Sequence, residues 1–330
     1  MARAKVKSAK MSKKAPPKRG KARGRNAKKW AVPLAVAVLL ILILDILVMR
    51  QMPAAKDFKV NPVFAFTGTG RPTGPIGVWD VAAVGNDRVV VTDQPAGRIV
   101  LFDRSGNVLK SWGKKGEGVD AFKEPSGVSV DAKGNIYVLD AWKSQIRGFD
   151  QEGKEILRVP LTDRFYGPRG VAVAGDVFYV ADTGSHRVVR VNKSGAVEAS
   201  WGETRGSARD CVENPRSVCV DPKGYVYVAD YENKRIQVVD PSKKTFVRQI
   251  KCDCKPSDVA VDGRGRLFVP CGEEGVVKVF NAGNGKPLGS LVDPTGSPAP
   301  YTAKVGIDVA PDGTVILGGG DIVNGWKPAS

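Results

Sequence analysis

Histidine is almost absent from this chain: His186 is the one histidine in 330 residues. That count alone excludes a metal centre built from several histidines. Cysteine is sparse as well, five residues in all, and none follows closely on the one long apolar run, so a lipid-anchored cysteine is not expected. Acidic residues are missing from residues 1–29, which hold thirteen Lys or Arg among many Ala, Pro and Gly. Such a stretch has too little apolar surface to bury and is expected to be a disordered basic tail with affinity for anionic lipid. It also accounts for most of the net charge of +17. From Met52 onward 37 basic residues face 33 acidic ones, so the remainder is nearly neutral and no nucleic-acid surface is expected on it.

Long apolar runs are absent except for WAVPLAVAVLLILILDILVM, residues 30–49. Twenty such residues suffice to cross roughly 30 Å of hydrocarbon as one helix. Asp45 lies near the far end of the run, where a carboxylate costs less than the about 2.5 to 3.5 kcal/mol charged at the bilayer centre. The basic excess before the run predicts a single-pass membrane protein with its N-terminus in the cytoplasm and the remainder periplasmic or extracellular. A cleaved signal peptide, with MPAAKD (52–57) as the cleavage region, is the rival reading. The expected organisation is a tail over 1–29, a transmembrane helix over 30–49, a linker over 50–61 and one folded domain over 62–330.

Within that domain GNIYVLDAWKSQIRGFD (134–150) returns as GYVYVADYENKRIQVVD (224–240) and, more loosely, as GDVFYVADTGSHRVVRV (175–191). Asp93, Asp140, Asp182 and Asp230 mark the same place in successive units, with Cys271 and Gly319 in the same column. The steps are 47, 42, 48, 41 and 48 residues, which suits a four-stranded propeller blade. Each unit has a Pro-containing opening, such as EPSGVSVD (124–131) or NPRSVCVD (214–221), and then three more apolar runs separated by turns. These are four strands, a to d from the axis outward. Strand d of the last unit is missing at the C-terminal end, and PVFAFTG (62–68) aligns with NVLKSWG (107–113), so the N-terminal strand is expected to complete the last blade and remove the open edges.

The phrase P-x-G-V-x-V-D-x-x-G-N-I-Y-V-x-D followed by R-I-x-x-F/V resembles the NHL repeat, over about residues 62–324. The resemblance implies an all-β, six-bladed NHL-type β-propeller. It also implies that ligands meet the face carrying the d–a and b–c loops. On that face the candidate ligand- or partner-binding residues are Trp142, Lys143, Tyr166, Arg169, His186, Arg216, Tyr231 and Lys234. Arg169 and Arg216 follow the opening Pro of adjacent units and together suit an anion or carboxylate. The pairs Asp93 and Arg98, Asp182 and Arg187, and Asp230 and Arg235 share one spacing across the b–c loop. Repeated in several copies, they are expected to be structural; Gln145 takes the Arg place in the second unit.

Amidating lyases, which the pattern also resembles, use a zinc on several histidines, and lactonase-like propellers hold a calcium in the channel. Here the channel-proximal positions offer mainly Ser, Gly, Arg and Val, with Asp80 and Asp258 as the obvious carboxylates. The expectation is therefore a monomeric domain that is not an enzyme, with neither cofactor nor metal: a membrane-anchored binding or scaffolding module for a protein or small ligand. A propeller hydrolase or lyase is the alternative. Cys211, Cys252, Cys254 and Cys271 fall at the d–a loops and strand b of the fourth and fifth units. In an oxidising compartment the preferred pairing is Cys211 with Cys252 and Cys254 with Cys271, while Cys219 in strand a stays a buried free thiol. Two other connectivities, a thiolate metal site and unpaired thiols remain open.

Overall fold

Each apolar run of the repeat folds as a short strand because its β-branched and aromatic residues suit a pleated, buried surface. Ile136–Asp140 is buried along its whole length. The turn before it is shaped by Asp131, whose carboxylate accepts the N–H groups of Lys133 and Asn135 at 2.8 and 2.9 Å, and by Gly134 at φ +81°. The computed structural model describes residues 57–67, 76–161, 164–292 and 306–328. Within them lie 24 strands and a single 3-10 turn, Thr183–Ser185. The fold is an all-β propeller, the class that the repeat predicts.

Four sheets of four strands occupy residues 78–112, 125–160, 170–201 and 215–251, each in chain order with antiparallel neighbours. A fifth sheet has eight strands. It runs outward through the four strands of 260–292, continues into Phe58–Thr67, and returns through Ile322–Pro328 and Val315–Gly319 to Gly306–Val309. Phe58–Thr67 pairs antiparallel with Ile322–Pro328, from Val60 opposite Pro328 to Thr67 opposite Ile322. It also pairs parallel with the strand Pro287–Val292, Phe58 opposite Leu291. The N-terminal strand thus stands outermost beside the C-terminal ones, as PVFAFTG predicts, but it starts at Phe58 rather than at 62.

The core lies between faces of neighbouring sheets. One cluster joins Tyr179 and Trp201 to Val218, Val226 and Val228 of the next sheet. Another joins Phe66 and Val323 to Val81, Val89 and Phe102. At that junction the Phe66 and Phe102 rings stand 4.9 Å apart, and Arg104 reaches Asp312 at 3.1 Å.

The expected membrane localisation is not supported. Among the described residues no helix is long and apolar enough to cross a membrane. The run 30–49 lies outside the described residues, as do the basic tail 1–29 and residues 50–56 of the expected linker.

Phe66 is 8% exposed, so Phe66→Ala is expected to cost about 3 to 5 kcal/mol in chemical denaturation. Deleting residues 57–67 unpairs the edges of Ile322–Pro328 and Pro287–Val292 and should turn a monodisperse chain into an aggregating one on size-exclusion chromatography. A deletion variant that elutes and melts like the parent would contradict this closure.

Candidate active site at the channel mouth

The innermost strands stand so close around the axis that several positions admit no side chain. A Cβ on Gly170 would lie 2.6 Å from the Cα of Ser217, and one on Gly306 would lie 2.9 Å from the Cα of Asp80. At the same step of the other strands stand Asp80, Gly127, Ser217 and Asp258. Two residues further on, and therefore on the same face of each strand, come Ala82, Ser129, Ala172, Cys219, Ala260 and Asp308. Three carboxylates thus line the channel in two layers.

Each carboxylate bridges two innermost strands. Asp80 accepts the N–H of Val81 at 2.8 Å and that of Val128 at 2.9 Å. Asp258 accepts those of Val259 and Ile307, both at 2.7 Å. Asp308 accepts those of Val309 and Ala83, both at 2.8 Å. Burial disfavours the charged forms more than these donors favour them. It raises Asp258 to about 7, against hydrogen bonds from Ser217, Ile307 and Val259. It raises Asp308 to about 6. Asp80 is pushed well above the usual carboxylate range by burial and then by the charge of Asp258.

Above these groups opens a pocket of about 220 Å³ lined by Trp79, Asp80, Arg169, Arg216, Ser217, Ser257 and Asp258 together with two glycines. Arg169 stands over the Trp79 ring at 5.6 Å, and Arg216 lies against the Tyr231 ring at 3.3 Å. Burial, and then the nearby Arg169 charge, pull the Arg216 pKa down even though Tyr231 favours the cation. Neither guanidinium makes a direct ion pair among the described residues, although the charges of Glu232 and Glu273 also favour the Arg216 cation. Two cations over a protonatable carboxyl can grip an anionic group and move a proton beside it.

The other candidates fall elsewhere. The Lys143 ammonium donates to the carbonyls of Gly118 and Ala121, both at 2.7 Å, and so ties its b–c loop to the preceding d–a loop. Trp142 is 66% exposed, with Lys123 over its ring, and Tyr166 is 75% exposed. Lys234 is exposed in a left-handed turn at φ 54°. His186 accepts the Asn214 N–H on Nδ1 at 3.1 Å. None of these five lines the pocket. Asp93 and Arg98, Asp182 and Arg187, and Asp230 and Arg235 form ion pairs at 2.7, 2.9 and 2.7 Å. The same aspartates accept N–H groups of Gly77, Tyr166 and Glu213 from the preceding d–a loops. Where Gln145 replaces the Arg, Asp140 takes two loop N–H groups, of Lys123 and Glu124.

Asp308 escaped the sequence reading because it sits one inward-facing step beyond the column of Asp80 and Asp258. The alternation in GIDV (306–309), offset by two from SDVAV (257–261), was the available signal.

Of the expected disulfides, Cys254 with Cys271 forms, at a Cα separation of 5.7 Å. Cys211 with Cys252 does not form, which corrects that pairing; both are free, as is Cys219. Cys252 is buried with its Sγ directed to the Ile250 carbonyl, while the Cys211 backbone is held from below by Arg235 and Gln237 of its own sheet. Equivalent places on neighbouring blades are not adjacent places, because blades diverge with distance from the axis. Cys219 is half-buried and faces the channel.

The NHL repeat pattern matches residues 165–191 and 213–239, and a family described as a 6-bladed beta-propeller matches residues 75–165. The peptidylglycine alpha-amidating monooxygenase of Rattus norvegicus is 32% identical over 169 residues, 46% of this chain and 17% of that protein. The probable peptidyl-alpha-hydroxyglycine alpha-amidating lyase pgal-1 of Caenorhabditis elegans is 29% identical over 227 residues, 64% of this chain and 59% of that protein. Among solved structures, the virginiamycin B lyase of Staphylococcus aureus has a TM-score of 0.58 at 12% identity, covering 83% of this chain and 100% of that one, a likeness of fold. The chain therefore spans a minor part of the first of these relatives. The expectation of a chain that is not an enzyme is overturned by the two sequence relatives, which are named as amidating enzymes.

A zinc of the amidating-lyase kind does not fit these residues. The single imidazole is engaged with Asn214, and the group of metal-ligand types closest together among the described residues is Cys254, Cys271 and Glu274, whose cysteines are joined. Nor do the oxygens of Asp80, Asp258 and Asp308 converge as one set of three ligands.

Two outcomes follow from the titration and thiol assignments. The folded-state pKa values of Asp258 and Asp308 lie above the ordinary 3.8, so the stability they contribute is complete below that value and is lost as pH rises through about 6 to 7. Thermal midpoints should accordingly fall between pH 5 and pH 8, and Asp258→Asn should flatten the slope, whereas an unchanged slope would contradict the assignment. The denatured chain should titrate three thiols without reductant and five with it; five without reductant would exclude the disulfide.

Proposed function

We propose that the chain is a six-bladed propeller lyase acting on a small substrate that carries a carboxylate beside the bond to be broken. The observation that carries this reading is the pairing, in one pocket, of two guanidinium groups, neither of which makes a direct ion pair, with a carboxyl held at about 7. An acid that titrates near neutrality serves equally as proton acceptor and donor. The match to amidating-lyase sequence supports the reaction class.

The name of that relative describes a substrate of the form acyl–NH–CH(OH)–COO⁻. Breaking the carbon–nitrogen bond removes a proton from the hydroxyl, forms the aldehyde of glyoxylate and delivers a proton to the amide nitrogen, so protons balance. Arg169 and Arg216 hold the carboxylate at the mouth. Asp258, as carboxylate, takes the hydroxyl proton and returns it to nitrogen. Asp80 shares the pocket floor, its own proton held more tightly once Asp258 is charged, while the charge of Asp308 favours the proton on Asp258. Ser217, which donates to Asp258, fixes the orientation of that carboxyl.

The test is glyoxylate release from N-benzoyl-α-hydroxyglycine by the purified full chain. Asp258→Asn is expected to lower kcat by about 10² to 10⁴. Arg216→Gln should act chiefly on KM, raising it about tenfold or more. Equal turnover by the Asp258→Asn variant, or none by the parent, would sink the reading.

A further inference from the structure

The strand Val78–Val84 passes three cavities in succession. Trp79 and Asp80 belong to the mouth pocket, Asp80 to Ala82 to a cavity of about 180 Å³ on the axis, and Ala83 to Gly85 to a groove of about 440 Å³ at the opposite end. The strand Gly306–Val309 repeats the order, with Gly306 at the mouth, Ile307 and Asp308 in the axial cavity, and Asp308 with Val309 in the groove. At about 3.3 Å per residue, the five steps from Trp79 to Val84 span about 17 Å along the strand. Asp80 and Asp258 are walls common to mouth and axial cavity. Asp308 is common to axial cavity and groove.

We infer that the three cavities form one water-filled passage through the propeller, and that Asp308 is a positioning residue which passes protons between Asp258 and solvent at the face opposite the mouth. This rests on the proposed role of Asp258. The passage gives the pocket acid a route to water when substrate covers the mouth. A proton leaving Asp258 moves through water to the Asp308 carboxylate, and Asp308 releases its own to water in the groove; the reverse order recharges the acid, and water is the partner in both. Asp308 sits among Asp80, Asp258, Ser129 and Cys219 on the axial side and Arg88, Asp131, Lys133 and Gln151 on the groove side. The Arg88 guanidinium donates to Gln151 and lies 3.5 Å from Asp87, so its charge does not neutralise Asp308 directly. The values of about 7 and about 6 for Asp258 and Asp308 suit exchange in either direction near neutrality.

Cys219 is a built-in reporter, being a free thiol on the axial cavity. Burial, followed by the charges of Asp258 and Asp308, holds its pKa well above the ordinary range. In a full-length Cys211→Ser background, Arg169→Cys is capped at the mouth with a polymer-bearing maleimide, and Cys219 is then alkylated with iodoacetamide and located by peptide mass spectrometry. With the mouth capped, the Cys219 rate should stay within about twofold of the uncapped rate, because reagent and water enter from the groove. A fall of about tenfold or more would show a sealed axis and overturn the passage. In the same background without a cap, Asp308→Asn should lower the pH midpoint of Cys219 alkylation by about half a unit or more, and an unmoved midpoint would overturn the placement of Asp308 on that water path.

Where glyoxylate release is present, Asp308→Asn should lower kcat severalfold in dilute buffer with KM unchanged, and imidazole should restore it. A loss that imidazole does not restore overturns the relay. Alkylation does not depend on turnover, so a chain without lyase activity removes the proposed function while the passage is still decided by Cys219.

Discussion

The molecule depends on how closely its innermost strands approach one another around the axis. A backbone N–H of one strand reaches a side-chain acceptor of the preceding one at Val128 to Asp80, Val173 to Ser129, Ile307 to Asp258 and Ala83 to Asp308. At Gly170 and Gly306 the approach is closer still, and a Cβ there would collide with the neighbouring backbone. The same closeness takes the carboxylates out of bulk water, and this burial moves their titration toward neutrality. Structural staple and acid–base group are the same three side chains.

That approach can be kept only if the outer strands hold the ring together. Phe58–Thr67 does so within the eight-stranded sheet, pairing on one side with Pro287–Val292 and on the other with Ile322–Pro328. Asp93, Asp182 and Asp230 act further up, tying each b–c loop to the d–a loop before it and to an Arg. The d–a loops are therefore fixed where they deliver Arg169 and Arg216 to the mouth. Trp79 and Tyr231 lie against these guanidinium groups, so the cations are held by ring faces rather than by direct ion pairs.

Much of the frame was legible because strand repeats carry a local signature: the phrase around Asp140 and Asp230, the turns with glycine, and the likeness of PVFAFTG to later outer strands. Arg169 and Arg216 were legible as a pair for the same reason. The chemistry was not, since the titration of Asp258 depends on burial among neighbours that no spacing reveals. Asp308 was missed because it lies one inward step further along its strand. Lys143 looked like a site cation, but its ammonium is turned to the carbonyls of Gly118 and Ala121 in the preceding d–a loop. The Cys211 and Cys252 pairing failed because equal places in adjacent repeats separate with radius. The low histidine count spoke against a histidine-bound zinc and the scarcity of channel carboxylates against a calcium, and neither bears on an enzyme that works through a buried carboxyl group.

The account stands or falls on the state of one carboxyl group. Carbon-13 NMR of aspartate-labelled protein, with the Asp258 resonance assigned by its disappearance in Asp258→Asn, measures that state directly. The account predicts a titration midpoint near 7 for this carboxyl in the folded chain. A midpoint near 4, the ordinary value for an exposed aspartate, would contradict it.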